Sequence, residues 1–324
     1  MAFYRQKFKS ELTTGFGTNS GTGRFYRKDG SANVERRGVP LLNRFSWFHT
    51  MLSMPSWKFW TYLIGFYAGI NLLFAFVYYC IGVEHLNGTQ GGSALRQFVD
   101  AFFFSAQTYT TVGYGHVSPS GLLTSCVAAF ESFLGVMTLA LASGIFFGRF
   151  SMPRAYLRFS SVALLSPYKG GQALMFRMVP EKNNQLTDAE VKLTLAMQVP
   201  DGTRKKNEFY SLEVEFSRIN TLVLNWTVVH AITEDSPLHG LSLVELRDMQ
   251  AELLVFVRAY DEVFANSVVA RTSYTADEFV PDARFQPMYH AQDGTTILHI
   301  DKLDDYEPEP HPRHLSGGEV RGRG

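Results

Sequence analysis

The sequence predicts a membrane protein in two parts: an all-α unit of two spans with a short re-entrant helix between them, followed by a soluble β-sandwich domain. Three observations predict it. Two apolar runs, Trp57 to Ile81 and Leu122 to Phe150, are long enough to cross hydrocarbon, which takes roughly 20 residues. A shorter apolar run, Phe98 to Thr111, lies between them in Gly-rich polar surroundings. After Pro153 the texture changes to short apolar stretches punctuated by Gly, Pro, Asn and Asp. The mean hydropathy of -0.05 hides this division, because a polar domain dilutes the two spans.

Composition narrows the function class. A chain of 324 residues suits about two domains. Its 30 Lys+Arg balance 30 Asp+Glu, so it carries no basic field of the kind that holds nucleic acid. The two cysteines, Cys80 and Cys126, both sit inside apolar runs, which excludes a disulfide scaffold and a zinc site. No apolar stretch of signal-peptide length precedes the Gly/Thr-rich segment Thr13 to Gly23, so no cleaved secretion signal is expected.

Taken in order, residues 1–33 are expected to be disordered. Within 34–55, Leu41, Leu42, Phe45, Phe48 and Leu52 recur at helical spacing, with Asn43, Arg44, Ser46, His49 and Thr50 on the other side. That pattern predicts a short amphipathic helix in the membrane interface, or a plain helical lead-in, which Pro55 separates from the first span. The membrane unit is 56–152. Its outer helix, 57–81, carries one charge at its edge, Lys58, and gathers Trp57, Trp60, Tyr62, Tyr78 and Tyr79 towards its ends, where aromatic rings favour the headgroup level. The middle run is too short to span and suits a helix that enters the bilayer and returns, which with the loop after it occupies 97–115. The inner helix, 122–150, holds only Glu131 inside it and Arg149 at its end, and crosses with tilt. Arg24, Arg27, Lys28, Arg36, Arg37 and Arg44 precede the first span, and Arg154, Arg158 and Lys169 follow the second. The connection between them has only Arg96, so both termini are expected in the cytoplasm.

Residues 153–303 read as an antiparallel sandwich, with strands over Ala173 to Val179, Val191 to Val199, Leu222 to Ile232, Glu252 to Tyr260 and Asn266 to Tyr274, and one brief helix over Ser242 to Gln250. Residues 304–324, dominated by Pro, Glu, His, Gly and Arg, are expected to be a disordered tail.

The short middle run ends in Thr110-Thr111-Val112-Gly113-Tyr114-Gly115. Thr111 to Gly115 is the pentapeptide of potassium-channel filters, in which carbonyl oxygens from four chains replace the hydration shell of the ion. Gly113 and Gly115 permit the positive φ that such a backbone requires. Thr111 can add a hydroxyl ring, and Tyr114 can brace the loop outward against the re-entrant helix. One such unit per chain implies a homotetramer. Further strings follow in order: Asp100 to Thr108, Phe150 to Arg154, Ala173 to Arg177, Trp226 to His230 running into Glu234 to Leu238, and Ala270 to Tyr274. Together with the filter, they make the chain resemble the inward-rectifier potassium channels over roughly Val34 to Leu303, and most closely their prokaryotic branch.

The resemblance implies a two-span tetrameric pore on a cytoplasmic immunoglobulin-like β-sandwich, in the plasma (inner) membrane of a prokaryote. Potassium ions would be held at Thr111, Val112, Gly113 and Tyr114, with no other cofactor. It also implies partners: three further copies of the chain and anionic phospholipid, including phosphoinositide. Animal members carry an acid where Gln107 stands and a basic partner just after the filter, where this chain has His116-Val117, so that bracing ion pair is absent. Their extracellular cysteine pair has no counterpart between Gly82 and Gly121. The inner-helix acid that gives strong polyamine block falls at Leu139, so weak rectification is expected.

Leu139, Ser143 and Phe147 are four apart and share a stripe of the inner helix, which in the family faces the conduction path. Phe147 matches the inner constriction, where four rings could stop ions by dewetting; the other reading has it packed against Phe146 and Phe150. Gly135 and Gly144 are candidate hinges or simply the glycines common in membrane helices. Ionised Glu131 costs at least about 2.5 kcal/mol in hydrocarbon. It is expected behind the filter, where it either bonds filter backbone or adds negative potential near the cavity. Arg37, Arg44, Arg149 and Arg154 form either a phosphate-binding collar at the inner leaflet or an ordinary positive-inside flank. Glu262 is a candidate acid of the cytoplasmic pore.

His230, Asp235 and Ser236 lack the Gly-x-Ser-x-Gly elbow or any other activating context, so no enzyme is expected. The absence of an Arg-rich span before the re-entrant helix argues against voltage gating. The expected function is a potassium-selective channel gated at its inner helices by the cytoplasmic domain and anionic lipid. The other reading is a membrane-tethered sensing or binding domain with a vestigial pore, against which the two intact filter glycines argue.

Overall fold

A computed structural model describes residues 15–17, 23–35, 37–38, 40, 46–182, 185–201 and 204–309. The chain divides into two units, Arg37–Met152 and a second made of Met1–Arg36 with Pro153–Gly324.

In the first unit a short helix α1 (Trp47–Ser53) starts at Ser46, whose hydroxyl accepts from the backbone N–H of His49 at 3.4 Å. The residues 41–45 expected to extend this helix, Arg44 among them, lie outside the described residues. Pro55 separates α1 from α2 (Ser56–Ile81), whose 26 residues reach about 39 Å at 1.5 Å per residue. Helix α3 (Ala94–Tyr109) has 16 residues, about 24 Å, too short to cross. Helix α4 (Leu122–Phe150) has 29 residues and runs unbroken. Phe74, Ala75 and Tyr78 of α2 meet Ala101 and Phe104 of α3 and Ala128 of α4 in one buried cluster. Leu72, Leu73 and Phe76 on α2 and Phe130 and Phe133 on α4 remain exposed, as lipid-facing residues do. Strands β1 (Leu86–Asn87) and β2 (Ser118–Pro119) pair antiparallel and hold the segments on either side of α3 together. Gly88, at φ 88°, is required beside this clasp because a Cβ there would collide with the His116 carbonyl.

The second unit is a sandwich. One sheet runs β11-β10-β6-β7 with β8 also on β6, and the other runs β12-β4-β5-β3 with β9 also on β5. The strands involved are β3 (Leu157–Phe159), β4 (Ala163–Tyr168), β5 (Gly171–Pro180), β6 (Leu186–Asp201), β7 (Arg204–Leu212), β8 (Arg218–Leu222), β9 (Trp226–Ile232), β10 (Glu252–Asp261), β11 (Asn266–Thr275) and β12 (Phe279–Pro281). Pairing is antiparallel except for β12 on β4. Alternate residues of both sheets, such as Leu174, Phe176 and Met178 against Val191, Leu193, Leu195, Leu253, Val255 and Val257, fill the shared core. The helix expected over Ser242 to Gln250 is α5 (Leu243–Asp248), started by a capping box between Ser242 and Glu245.

Two expectations of disorder need correction. Residues 23–33 are docked on the sandwich: the buried Glu252 carboxylate accepts from the backbone N–H of Phe25 (2.7 Å) and Tyr26 (3.2 Å), and Phe25 packs with Ala196, Phe209 and Leu254. A short polar segment is thus ordered by one buried apolar ring and one buried acid. Likewise the ordered chain runs past Leu303, since Asp304 accepts from Ser161 N and Tyr306–Pro308 pair as a strand with Ala283–Phe285. The rest of the expected tail, from residue 310, lies outside the described residues.

Candidate functional site

The site is the loop that follows α3. In the last turn of α3, which ends at Tyr109, the Gln107 carbonyl accepts from both Val112 N (3.0 Å) and Gly113 N (3.2 Å), while Thr111 N donates to Thr108 O (3.0 Å). This folds the chain back along its own helix. Thr111, Gly113 and Gly115 lie at φ 60°, 53° and 80°, whereas Val112 and Tyr114 have ordinary negative φ. A backbone that alternates between left- and right-handed φ turns successive carbonyls to one side, unlike a strand, in which they alternate. Positive φ was expected at the two glycines; at Thr111, a β-branched residue expected in the filter, it was not. In its own protomer Tyr114 is 83% exposed, so it does not brace against its own α3.

Behind the loop, Glu131 is fully buried with Tyr78, Ser105 and Asn71. Tyr78 donates to Glu131 Oε2 at 2.6 Å and Ser105 to Glu131 Oε1 at 2.5 Å, with Asn71 Oδ1 3.1 Å from the Ser105 hydroxyl. Glu131 therefore does not bond the loop backbone of its own chain, one of the two roles expected of it; it joins α4 to α2 and α3 through side chains. Those partners were missed, although Asn71 and Tyr78 are polar, seven apart and on one face of an apolar span. At Gly135 a Cβ would collide with the Tyr109 carbonyl, so its small size serves a close helix crossing. The Tyr109 hydroxyl donates to Thr138 Oγ1 at 2.7 Å, and Ser132 donates to Thr108 O at 3.3 Å, locking the end of α3 to α4. Gly144 has open space around it and lies inside the same unbroken helix.

Further along α4, Leu139 (67% exposed), Ser143 and Phe147 (71%) present one open stripe in the protomer. Leu139 also lines an apolar cavity of about 410 Å³ with Thr110, Thr111 and Gly135, directly under the loop. Phe146 faces elsewhere, its ring 4.6 Å from Phe150 and 5.9 Å from Trp60. Phe147 makes no ring contact among the described residues, so the reading that packs it against Phe146 and Phe150 is not met.

Of the arginines expected in a collar, Arg149 is spoken for. It donates to the carbonyls of Met51 (2.5 Å), Leu52 (3.3 Å) and Met54 (2.8 Å) and to Ser56 Oγ (3.4 Å), and lies 4.7 Å over the Phe59 ring. Arg37 is exposed. Arg154 belongs to the second unit, as does Glu262, which is exposed at the β10–β11 turn. His230 and Ser236 do touch, Nε2 to Oγ at 2.8 Å. Both are buried, and His230 Nδ1 donates to the Glu213 carbonyl at 2.6 Å, so the pair is a structural one closed to substrate.

Residues 157–313 match the family model of the inward rectifier potassium channel C-terminal domain, and residues 66–151 match the model described as ion channel. Over 288 residues the chain is 32% identical to the inward rectifier potassium channel Kirbac3.1 of Paramagnetospirillum magnetotacticum, covering 87% of this chain and 95% of that relative. It is 27% identical over 299 residues to the G protein-activated inward rectifier potassium channel 2 of Homo sapiens, covering 84% of this chain and 69% of the relative. Against channel 1 of the same human group the figures are 29% over 296 residues, 84% and 58%.

Proposed function

This chain belongs to the inward rectifier potassium channel family, and from that premise we propose that four copies of it surround a potassium-selective pore whose filter is Thr111 to Gly115. The family is not enzymatic, and potassium is its permeant ion. The observation that carries the assignment is the alternating φ of Thr111, Gly113 and Gly115. Carbonyls aimed to one side by four such loops make successive oxygen rings, which can replace the hydration shell of a potassium ion and pass it between adjacent sites. Glu131, Ser132, Gly135 and Thr138 support the filter indirectly, by fixing the end of α3 against α4.

In this reading residues 56–152 form the pore domain and 153–303 the cytoplasmic sandwich, with both termini inside the cell membrane of a prokaryote. The stripe Leu139, Ser143 and Phe147 lines the inner pathway, with Phe147 as its hydrophobic constriction. Rectification is weak because Leu139 supplies no carboxylate ring, which leaves Glu262 as the acid of the cytoplasmic pore. Anionic lipid acts at the basic inner flank, where Arg37, Arg44 and Arg154 are the candidate phosphate ligands and Arg149 holds helix α1.

The test is flux through the full chain in liposomes. Potassium and rubidium should pass and sodium should be largely rejected. Gly113→Ala should abolish flux, because a Cβ disfavours φ 53°. Unchanged selective flux in that variant would overturn the filter assignment.

A further inference from the structure

After the sandwich strands the chain folds a hairpin from Tyr289–Gln292 and Thr295–Leu298. Asp293 and Gly294 turn it at φ 50° and 78°, the pair of positive angles that a tight two-residue turn needs. Apolar side chains anchor its base: Met288 and Leu303 are buried with Val179 near the end of β5, and Leu298 and Ile300 pack against them. The backbone N–H of His299 donates to the Met288 carbonyl at 2.7 Å, and His290 lies opposite Ile297. His290 and His299 are therefore diagonal neighbours on one face of the hairpin, a spacing within reach of long side chains. Their rings do meet. His299 Nε2 stands 3.3 Å from His290 Nδ1, with the ring planes 16° apart. On the far side of the His299 ring, Asp301 Oδ1 lies 3.9 Å from Nδ1.

We propose that His290 and His299 form a two-imidazole site for a divalent transition cation, zinc in the first place. The spacing carries the assignment. A separation of 3.3 Å is longer than the roughly 2.7–3.2 Å of an ordinary N–H hydrogen bond. Two nitrogens that each stand about 2.0–2.1 Å from a tetrahedral zinc lie about 3.3–3.4 Å from one another, so the rings already have the bite that the ion requires. The outer torsion of a histidine turns within a broad well, and small turns aim both lone pairs at one point with the backbone fixed. His290 is exposed, which leaves the site open to an ion from solution. Asp301 is placed to hold the far N–H of His299, as carboxylates do behind ligating imidazoles, fixing tautomer and ring orientation. Among the described residues no cluster of three ligands forms there, so water takes the remaining positions and the ion exchanges, unlike one in a closed structural site. Imidazole selects against magnesium and calcium, which take oxygen ligands. The scarcity of cysteine excludes a thiolate zinc site, not an imidazole one. The bound ion ties the two arms of the hairpin together, and the site does not depend on the filter reading.

The experiment is a calorimetric titration of the full chain in detergent, without a polyhistidine tag, with zinc chloride at about pH 7.5, where neutral imidazoles are free to ligate. Wild type should bind one zinc per chain more than a variant carrying both His290→Gln and His299→Gln. Excess magnesium chloride should not compete. His290→Gln and His299→Gln alone should each weaken that binding about 100-fold, because losing one nitrogen ends the chelation. Asp301→Asn should weaken it about tenfold. His290→Ala, at the exposed position, takes the place of any glutamine variant that fails to fold. Zinc bound equally by wild type and the double variant would lie at other histidines, such as His311 and His314, and would overturn the proposal. So would a single histidine variant that binds like wild type, or magnesium that displaces the zinc.

Discussion

Ser105 on α3 donates its hydroxyl proton to Glu131 on α4 across 2.5 Å, with both side chains closed to solvent. The same carboxylate accepts from Tyr78 on α2 at 2.6 Å, so one acid satisfies hydroxyls from two other helices. Removing it should leave the buried Tyr78 hydroxyl unpaired, at about 1–3 kcal/mol, while Ser105 keeps Asn71 Oδ1 at 3.1 Å as its acceptor. Glu131→Ala is therefore expected to lower the melting temperature of the detergent-solubilised protein clearly, and Glu131→Gln, which keeps one acceptor oxygen, to lower it less. Equal melting of all three would mean that this network does not hold the helices together.

Arg149 serves the end of α1 in a comparable way. The last carbonyls of a helix have no intrahelical partner, and that end carries the negative pole of the helix dipole. A planar guanidinium reaches several of these oxygens at once, whereas a lysine ammonium is a single point charge. Arg149→Lys and Arg149→Gln should both loosen α1, seen as faster motion of a spin label at position 48 in liposomes of neutral phosphatidylcholine. Full rescue by lysine would mean that charge alone matters at this position.

His230 makes the second unit sensitive to acid. Burial pushes its pKa below the ordinary 6.5, so the folded domain binds a proton less readily than the unfolded chain. Its contribution to stability is complete above pH 6.5 and is lost as pH falls from there through the lowered folded value. The difference in chemical-denaturation midpoint between wild type and His230→Gln should therefore shrink between about pH 7.5 and pH 5. A difference that stays constant over that range would refute the linkage.

Rectification tests the stripe on α4. With Leu139 in place, block by internal spermine should be shallow, and Leu139→Asp should steepen it, because four carboxylates converging in a confined cavity attract a polyvalent cation strongly. Steep block in the wild type would point to charge supplied elsewhere, with Glu262 the first residue to change.

The parts of this architecture that were legible in the sequence are those written locally. Span length marked α2 and α4, short apolar runs between Gly, Pro, Asn and Asp marked β5, β10 and β11, and two glycines within five residues marked the filter. What was not legible depends on contacts between distant segments. Ser105 and Tyr78 lie 26 and 53 residues from Glu131, and nothing in the apolar run around Glu131 names them. The close packing at Gly135 comes from Tyr109 on another helix, 26 residues away. Phe25 sits in a polar stretch whose order depends on Glu252, 227 residues away. The positive φ of Thr111 was hidden for a different reason: β-branched residues avoid it, so propensity argues against the conformation that the alternation imposes.

The gate is tested by two neighbouring rings. Phe147 is 71% exposed and shares the open stripe with Ser143 and Leu139, whereas Phe146, about 100° around the helix, packs on Phe150 and Trp60. A hydrophobic ring stops ions by dewetting, so its effect depends on side-chain size and not on charge. Phe147→Ala should raise basal rubidium uptake into liposomes without altering the potassium-to-sodium preference, which is set separately at Thr111 to Gly115. Phe146→Ala should instead cost stability, about 3–5 kcal/mol at the upper end for a lost packed ring and less at this half-open site, with a smaller effect on flux. Cross-linking of both variants distinguishes lost assembly from lost conduction. Equal changes in flux from the two substitutions, or none from Phe147→Ala, would place the constriction away from α4.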